Sequence, residues 1–510
     1  MVNQKVAFRV DASSEIGTGH LMRCLTLADM LQRDRCDVCF VCRHIPLHLQ
    51  RIVETNHELV ILNRVDDVNT VGALFHSDWL GVSQEQDAID SIAALGHQLW
   101  DWIVVDHYAI DYIWESVIKS GGIVSKLMVI DDLADRKHVC DILLDQNLRP
   151  NLLDSYVDKV PKECIRLLGP RFALLRPEFL KHRPEDKNGR GKVETILVFF
   201  GGVDVNNYTG LMLDILADEL KFDGRVNVIV GSGHPFLNEI RAKCDHEGFF
   251  CYVQTTDIAA LMASADLFVG AGGTSVWERC CVGLPGVSIA TAFNQEEQIQ
   301  NGAKAGLFLV PDSNEKPGAG IKWELACLIH NSSLRRLLAK NSMTMVDGLG
   351  INRVCSILRG EGISVREAGA NDVKNMFEWR NNPQIRNSSK NSELISFADH
   401  NNWFSSASKD KNKIILIGEF GDTPIGVVRF DFNENEIEVS IYLVPDQPLA
   451  IGMGIALLKK CEEWLMFKCK KSVVLVAEIL NANHRSEKMF LTSGYSKYKT
   501  VFLKELVSVK

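Results

Sequence analysis

A short apolar run, Val6 to Val10, enters a loop closed by Gly17-Thr18-Gly19-His20, and an amphipathic stretch, Leu21 to Leu31, follows at once. No other feature constrains the fold as strongly. A strand that hands over to a helix through a glycine-spaced loop opens a βαβ unit, and such units build mainly parallel sheets. The same spacing sets a histidine at the C-terminal end of a strand and beside a helix N-terminus. In open α/β sheets ligands bind at that edge, where backbone N–H groups favour negative charge.

The pattern repeats. Apolar runs at Val38–Val41, Leu59–Leu62, Ile103–Val105, Leu127–Ile130 and Ile142–Leu144 alternate with helical stretches up to about residue 180. A polar segment, Arg183 to Lys192, reads as a linker. A second α/β series follows, with strands at Ile196–Phe200, Val226–Val230, Phe249–Val253, Leu267–Val269 and Val287–Ile289. From Ile363 the character changes to a helix over Asp372–Arg380 and a meander of strands at Ile414–Phe420, Ile425–Asp431 and Ile437–Val444, with Gly421-Asp422 as the first turn. An amphipathic helix (Ile455–Phe467), a strand (Val473–Leu480) and a last helix complete an α+β unit. The expected fold class is α/β, two Rossmann-like domains at 1–182 and 183–360, followed by an α+β domain at 361–510. A cleft between two facing doubly wound domains is a common seat for a nucleotide-linked ligand.

With 510 residues, 46% hydrophobic and 24% charged, the chain has the composition of a globular protein of three or four domains. A net charge of −9 argues against nucleic acid or an anionic membrane as partner. Arg9 and Asp11 interrupt the first apolar run, so no signal peptide is expected. No apolar run reaches the roughly 18 residues that span a bilayer. A cytoplasmic location is therefore expected, with the 14 cysteines reduced. Cys36, Cys39 and Cys42 have C-x-x-C-x-x-C spacing, but Pro46 stands where an iron–sulfur run wants its next cysteine. Spacing of three on a strand sends successive side chains to opposite faces, so buried thiols are the expectation here and no metal is assigned.

Several segments together carry a resemblance. They are R-V-D-A-S-S-E-I-G-T-G-H-L-M-R-C-L-T-L-A (Arg9 to Ala28), V-V-D-H-Y-A-I-D (Val104 to Asp111), I-D-D-L-A-D-R (Ile130 to Arg136), L-L-D-Q-N (Leu143 to Asn147), F-F-G-G-V-D (Phe199 to Asp204) and G-A-G-G-T-S-V-W-E (Gly270 to Glu278). Residues 1 to about 360 resemble the UDP-sugar hydrolases of pseudaminic acid biosynthesis, which cleave UDP from UDP-2,4-diacetamido-2,4,6-trideoxy-β-L-altropyranose and are similar in fold to GT-B glycosyltransferases.

The resemblance implies that His20 is the base that activates water at the anomeric carbon, a task that suits an imidazole titrating near neutrality. Gly17 and Gly19 would let backbone approach the sugar. Asp11 is expected either to orient His20, and so to belong with the catalytic pair, or to bind sugar, or to hold the loop. Arg23, Asp106, His107, Tyr108 and Asp131 fall at or beside strand ends facing the cleft, as substrate contacts or as supports. Asp131-Asp132 implies no metal. On the second domain Gly201, Gly202, Gly272, Gly273, Thr274 and Ser275 would hold the diphosphate, and Glu278 the ribose hydroxyls. Asn294, Gln295 and Gln298 would reach the sugar.

In the last third, W-R-N-N-P (Trp379 to Pro383) and H-x-x-W-F (His400 to Phe404) give a resemblance to the GNAT superfamily of acetyl-CoA-dependent N-acetyltransferases, in its nucleotide-aminosugar branch. That resemblance implies a splayed strand whose Leu443 and Val444 meet the pantetheine. It also implies a pyrophosphate loop with Gly452, Met453, Gly454 and Ile455, and a contact from Asn483. Two positions depart from the superfamily pattern. Leu449 replaces an Arg or Gln, and Phe490 stands where a tyrosine acid is common, leaving Tyr495 and Tyr498 as candidates. No base stands out: Glu436 and Glu438 sit on or beside the central strand, and a relay through water is an equal alternative. Taken together, the two resemblances imply a bifunctional enzyme that N-acetylates a UDP-4-amino sugar with acetyl-CoA and then hydrolyses the product with inversion. A glycosyltransferase with an alcohol acceptor, another diamino sugar such as a legionaminic acid precursor, and a non-catalytic binding protein stay open. Oligomeric state is not legible.

Overall fold

The computed structural model describes residues 3–497, apart from 14, 65–73, 97, 153, 185–190, 293–294, 312–316, 360–361, 390, 421–422, 435, 446–452, 470–472 and 481–482. The chain divides into two units, Met1–Leu358 and Arg359–Lys510.

In the first unit, near-continuous apolar runs form parallel strands covered by helices, as runs buried on both faces must be. Strands β1 (Lys5–Val10), β2 (Asp37–Cys42), β3 (Glu58–Ile61), β4 (Trp100–Asp106), β5 (Val124–Ile130), β6 (Ile142–Asp145) and β7 (Ile165–Leu168) make a seven-stranded sheet. Its order is β3-β2-β1-β4-β5-β6-β7. Every pairing is parallel. β7 escapes the sequence reading because it is four residues at the sheet edge with Arg166 in its middle. The helix Gly19–Arg33 lays Leu21, Cys24, Leu25, Leu27, Ala28 and Leu31 inward, a spacing of three and four that makes one apolar stripe. Cys36, Cys39 and Cys42 are buried free thiols.

The second sheet runs β8 (Thr195–Phe199), β9 (Arg225–Val230), β10 (Phe250–Val253), β11 (Leu267–Ala271) and β12 (Gly286–Ile289). Its order is β10-β9-β8-β11-β12, again parallel throughout. In each sheet the order reverses beside the first strand, between β1 and β4 and between β8 and β11. Loops leaving the C-terminal edges of the two sheets meet. Arg149, after β6, donates from Nη1 to Glu297 Oε2 at 2.8 Å, on the helix Glu296–Lys304 that follows β12. The last helix, Gly350–Leu358, returns to the first lobe, where Trp102 Nε1 donates to Leu358 O and Arg353 Nη1 donates to Arg171 O.

The second unit holds a mixed sheet of β13 (Ser364–Glu367), β14 (Lys413–Phe420), β15 (Thr423–Phe432), β16 (Ile437–Leu443) and β17 (Leu475–Val476). β13 to β16 pair antiparallel. β17 runs parallel to β16 and touches it only at Ile437 and Glu438, so the two strands part beyond that point. The expected strand over Val473–Leu480 contracts to two paired residues. The helix Met453–Cys469 buries Leu457, Leu458, Cys461 and Leu465. Among the described residues no helix is long and apolar enough to cross a membrane.

Candidate active sites

At the strand-order reversal of the first sheet, His20 sits on the first turn of the helix that follows β1, and Asp106 is the last residue of β4. His20 Nδ1 lies 2.6 Å from Asp106 Oδ1. Arg23, one turn along the same helix, grips that carboxylate with both Nε (2.5 Å) and Nη2 (2.6 Å), and Cys24 Sγ adds a contact at 3.5 Å. Burial alone would raise the Asp106 pKa. The Arg23 guanidinium and then His20 outweigh it and hold the carboxyl well below its ordinary value. Among the described residues His20 Nε2 has no hydrogen-bond partner, and the residue keeps 8% exposure. Its ring stands edge-on to Tyr108 at 4.5 Å.

The sequence offered Asp11 as a partner of His20, and the geometry corrects this. Asp11 is fully buried. It takes a bidentate pair from Arg9 (2.8 and 3.0 Å) and the backbone N–H groups of Arg43 (2.7 Å) and His44 (3.1 Å). His107 Nε2 lies 3.2 Å away. Arg9 in turn holds Asp87, which also accepts from Arg43 and Trp114. Asp11 therefore ties the end of β1 to the loop after β2, and its oxygens are spent there. Asp131 is likewise fully buried and structural. It pairs with Arg136 at 2.8 Å and accepts from Tyr156 and from the N–H groups of Leu133 and Ala134. Its neighbour Asp132 is the one that reaches Arg23, at 2.8 Å.

Gly17 has φ +79°, a left-handed value that favours glycine, and a Cβ added at Gly17 or at Gly19 would meet nothing within 4 Å. No packing demands glycine at position 19.

The matching reversal in the second sheet carries the other cluster. Gly201, with φ +92°, and Gly202 follow β8. After β11 a Cβ at Gly272 would lie 2.0 Å from Ile299 Cδ1, whereas one at Gly273 would meet only Gln295 Nε2, at an ordinary 3.7 Å. Thr274, at the N-cap of the helix Ser275–Cys281, spends no side-chain hydrogen bond on capping. Glu278 is half-buried, with Arg176 Nη2 3.7 Å away. Burial raises its pKa against the pull of Arg176. Gln298 is committed locally, donating to Gly272 O at 3.1 Å, and Gln295 accepts from Thr291. Both shape the loop. Asn294 lies outside the described residues.

In the second unit, Asn483 Oδ1 caps the helix His484–Thr492 by accepting from Ser486 N at 3.1 Å. Phe490 packs edge-on to Tyr495, whose hydroxyl donates to Glu462 at 2.7 Å. Leu443 closes β16 and Val444 follows it, and Met453, Gly454 and Ile455 open the following helix. Leu449, Gly452, Tyr498 and the Gly421-Asp422 turn lie outside the described residues. The sequence reading quoted Arg380 and His400 only as motif letters. Each carries a buried nitrogen, Nη1 and Nε2, with no hydrogen-bond partner among the described residues. They belong to the wall that holds Phe377, Trp403 and Tyr442.

No family model matches the chain. It is 28% identical over 304 residues to the UDP-2,4-diacetamido-2,4,6-trideoxy-beta-L-altropyranose hydrolase of Campylobacter jejuni, 59% of this chain and 97% of that one. It is 26% identical over 133 residues to the acetyltransferase PseH of the same organism, 26% of this chain and 82% of that one. Among solved structures, UGT2 of Phytolacca americana, complexed with UDP-2fluoro-glucose and pterostilbene, matches with a TM-score of 0.50 at 11% identity, over 70% of this chain and 99% of that one. That last likeness is one of fold. In sequence, the chain is similar to enzymes of sugar-nucleotide biosynthesis.

Proposed function

We propose that the first unit hydrolyses a UDP-linked diacetamido sugar at its anomeric carbon and that the second N-acetylates the UDP-4-amino precursor with acetyl-CoA. The observation that carries the hydrolase reading is the His20–Asp106–Arg23 arrangement at the strand-order reversal. An ionised Asp106 accepts a hydrogen bond from His20 Nδ1–H, which leaves Nε2 as the free base. Water gives its proton to Nε2 as its oxygen bonds to C1, and the bond from C1 to the β-phosphate oxygen breaks. UDP leaves and the anomeric configuration inverts. The imidazolium so formed is stabilised by the buried Asp106 carboxylate, whose own charge is balanced by Arg23.

In this reading the glycine loop after β11 faces the diphosphate through its backbone N–H groups and the Thr274 and Ser275 hydroxyls, with Gly201 and Gly202 beside it and Glu278 taking the ribose hydroxyls. Support comes from the Campylobacter hydrolase likeness over most of that protein's length.

For the second unit, the parting of β16 from β17 after Glu438 leaves backbone groups near Leu443 and Val444 for a pantetheine chain. The first turn of the helix at Met453, Gly454 and Ile455 suits the pyrophosphate. The unpartnered Arg380 Nη1 donor fits an oxygen atom of the acceptor sugar nucleotide. The PseH likeness supports this half. Proton NMR of the UDP-4-amino sugar with the protein, with and without acetyl-CoA, tests both halves. Free diacetamido sugar and UDP, formed only when acetyl-CoA is present, is the expected result. Release of the unacetylated sugar would refute the order, and transfer of the sugar intact to an added alcohol would favour a glycosyltransferase.

A further inference from the structure

Beside His20 stands a set of rings that none of the chemistry above uses. His76 precedes a short turn, Ser77–Leu80, that carries Trp79, and the two ring centroids are 4.2 Å apart. Trp79 lies over Tyr108 at 5.7 Å with planes 23° apart, and His76 is 5.3 Å from the same tyrosine. Tyr108 then meets His20 edge-on. Phe75 extends the row from His76 at 4.8 Å and is 92% exposed. Trp79 and His76 are half-buried, each keeping part of its surface open to solvent.

The turn that carries them is fixed. Leu80 and Val82 are buried in the main core. Gly81 takes φ +74°, and a Cβ there would crowd His44 Nε2 at 3.0 Å. Burial lowers the His76 pKa, so this ring is uncharged near neutral pH.

The polar side chains around His20 are engaged, except that Asp132 Oδ1 has no hydrogen-bond partner among the described residues. Asp106 serves His20 and Arg23, Arg23 serves Asp106 and Asp132, and Asp11 and Asp131 are closed in by their own partners. The surface left to a ligand beside them is largely aromatic, with Asp135, half-exposed and paired with Arg136, near His76. A fixed aromatic surface, partly open to water and continuous with an imidazole base, suits the C–H and methyl groups of a sugar poor in hydroxyls.

We propose that His76 and Trp79, backed by Tyr108, form an aromatic subsite that holds the apolar face of a deoxy, N-acylated sugar against His20. This rests on the hydrolase reading for the identity of the ligand and adds what selects the sugar. A His20→Ala variant holds the UDP-sugar without consuming it, and saturation-transfer NMR reads which protons touch the protein. The sugar methyl protons receive strong saturation. Adding Trp79→Ala removes most of it and leaves the uridine signals unchanged, and Trp79→Phe restores it. In otherwise unaltered protein, Trp79→Ala raises KM for the UDP-sugar about tenfold, while inhibition by UDP alone changes less than about twofold. Methyl saturation unaffected by Trp79→Ala would overturn the subsite, as would parallel losses for sugar and uridine. A protein that shows Trp79-dependent methyl contact yet never releases UDP would sink the hydrolase reading and leave the subsite standing.

Discussion

At the scale of single residues, the chemistry proposed for the first unit rests on one imidazole whose tautomer is set by a buried carboxylate. His20→Ala lowers kcat by about 10² to 10⁴, the range for loss of a positioned base. It leaves UDP binding intact, which titration of UDP checks. Asp106→Asn keeps the shape but loses the ionised acceptor, so the same assay gives a fall in kcat larger than any change in KM. Gly19 makes a sharper test because its two possible roles pull apart. With open space around its Cβ position and a place in the first turn of a helix, Gly19→Ala holds or raises stability by up to about 1 kcal/mol. The same methyl raises KM for the UDP-sugar if the backbone there meets ligand. A melting curve and a saturation curve decide it. His20 could be picked out from sequence because a glycine-spaced loop announces itself. Its partner could not. Asp11 and Asp106 both follow apolar strands, and only the order of strands in space says which one lies across the reversal from the histidine.

At the scale of elements, loops are held by buried charge and by glycine. Asp131 fixes the loop after β5 through Arg136, Tyr156 and two backbone N–H groups. Burial alone would raise its pKa, but Arg136 and then His138 hold the carboxyl well below the ordinary value. A depressed folded-state pKa contributes stability that is present above the unfolded value near 4 and lost as pH falls through the folded one. Asp131→Asn is therefore less stable at pH 7 by about 3 to 5 kcal/mol, because it leaves Arg136 buried with that partner gone. The gap to the parent narrows below about pH 4, where the unfolded chain takes up a proton at Asp131 while the folded carboxylate stays ionised, so the parent's advantage declines with pH. Denaturant melts across that range read it. On the second sheet, Gly272→Ala drives a methyl into Ile299 and costs about 1 to 3 kcal/mol. It weakens UDP binding with it, since the helix Glu296–Lys304 and the glycine loop must shift together. The long, apolar, parallel strands were legible from their sequence. The edge strand β7 was not, because Arg166 breaks its four residues, and the strand expected over Val473–Leu480 was legible in place but not in length, since only Leu475 and Val476 pair with β16.

At the scale of the whole molecule, two units carry two kinds of sheet, and the change from parallel to antiparallel pattern near residue 360 was plain from the sequence. Less visible was that the helix Gly350–Leu358, which follows the second sheet, packs back on the first lobe. Helical periodicity names an inward face but not the surface it meets. The pairing of Arg149 with Glu297 was hidden for the same reason, since each residue alone reads as a solvated charge. Across the first unit the central claim is that water, activated by His20, attacks carbon and not phosphorus. The direct measurement is a short turnover of the UDP-sugar in ¹⁸O-water, followed by mass spectrometry of the UDP and NMR of the first sugar anomer released. UDP free of ¹⁸O, with an inverted anomer and a rate that collapses in His20→Ala, is the predicted result. ¹⁸O in the terminal phosphate of UDP, or an undiminished rate without the imidazole, would contradict it.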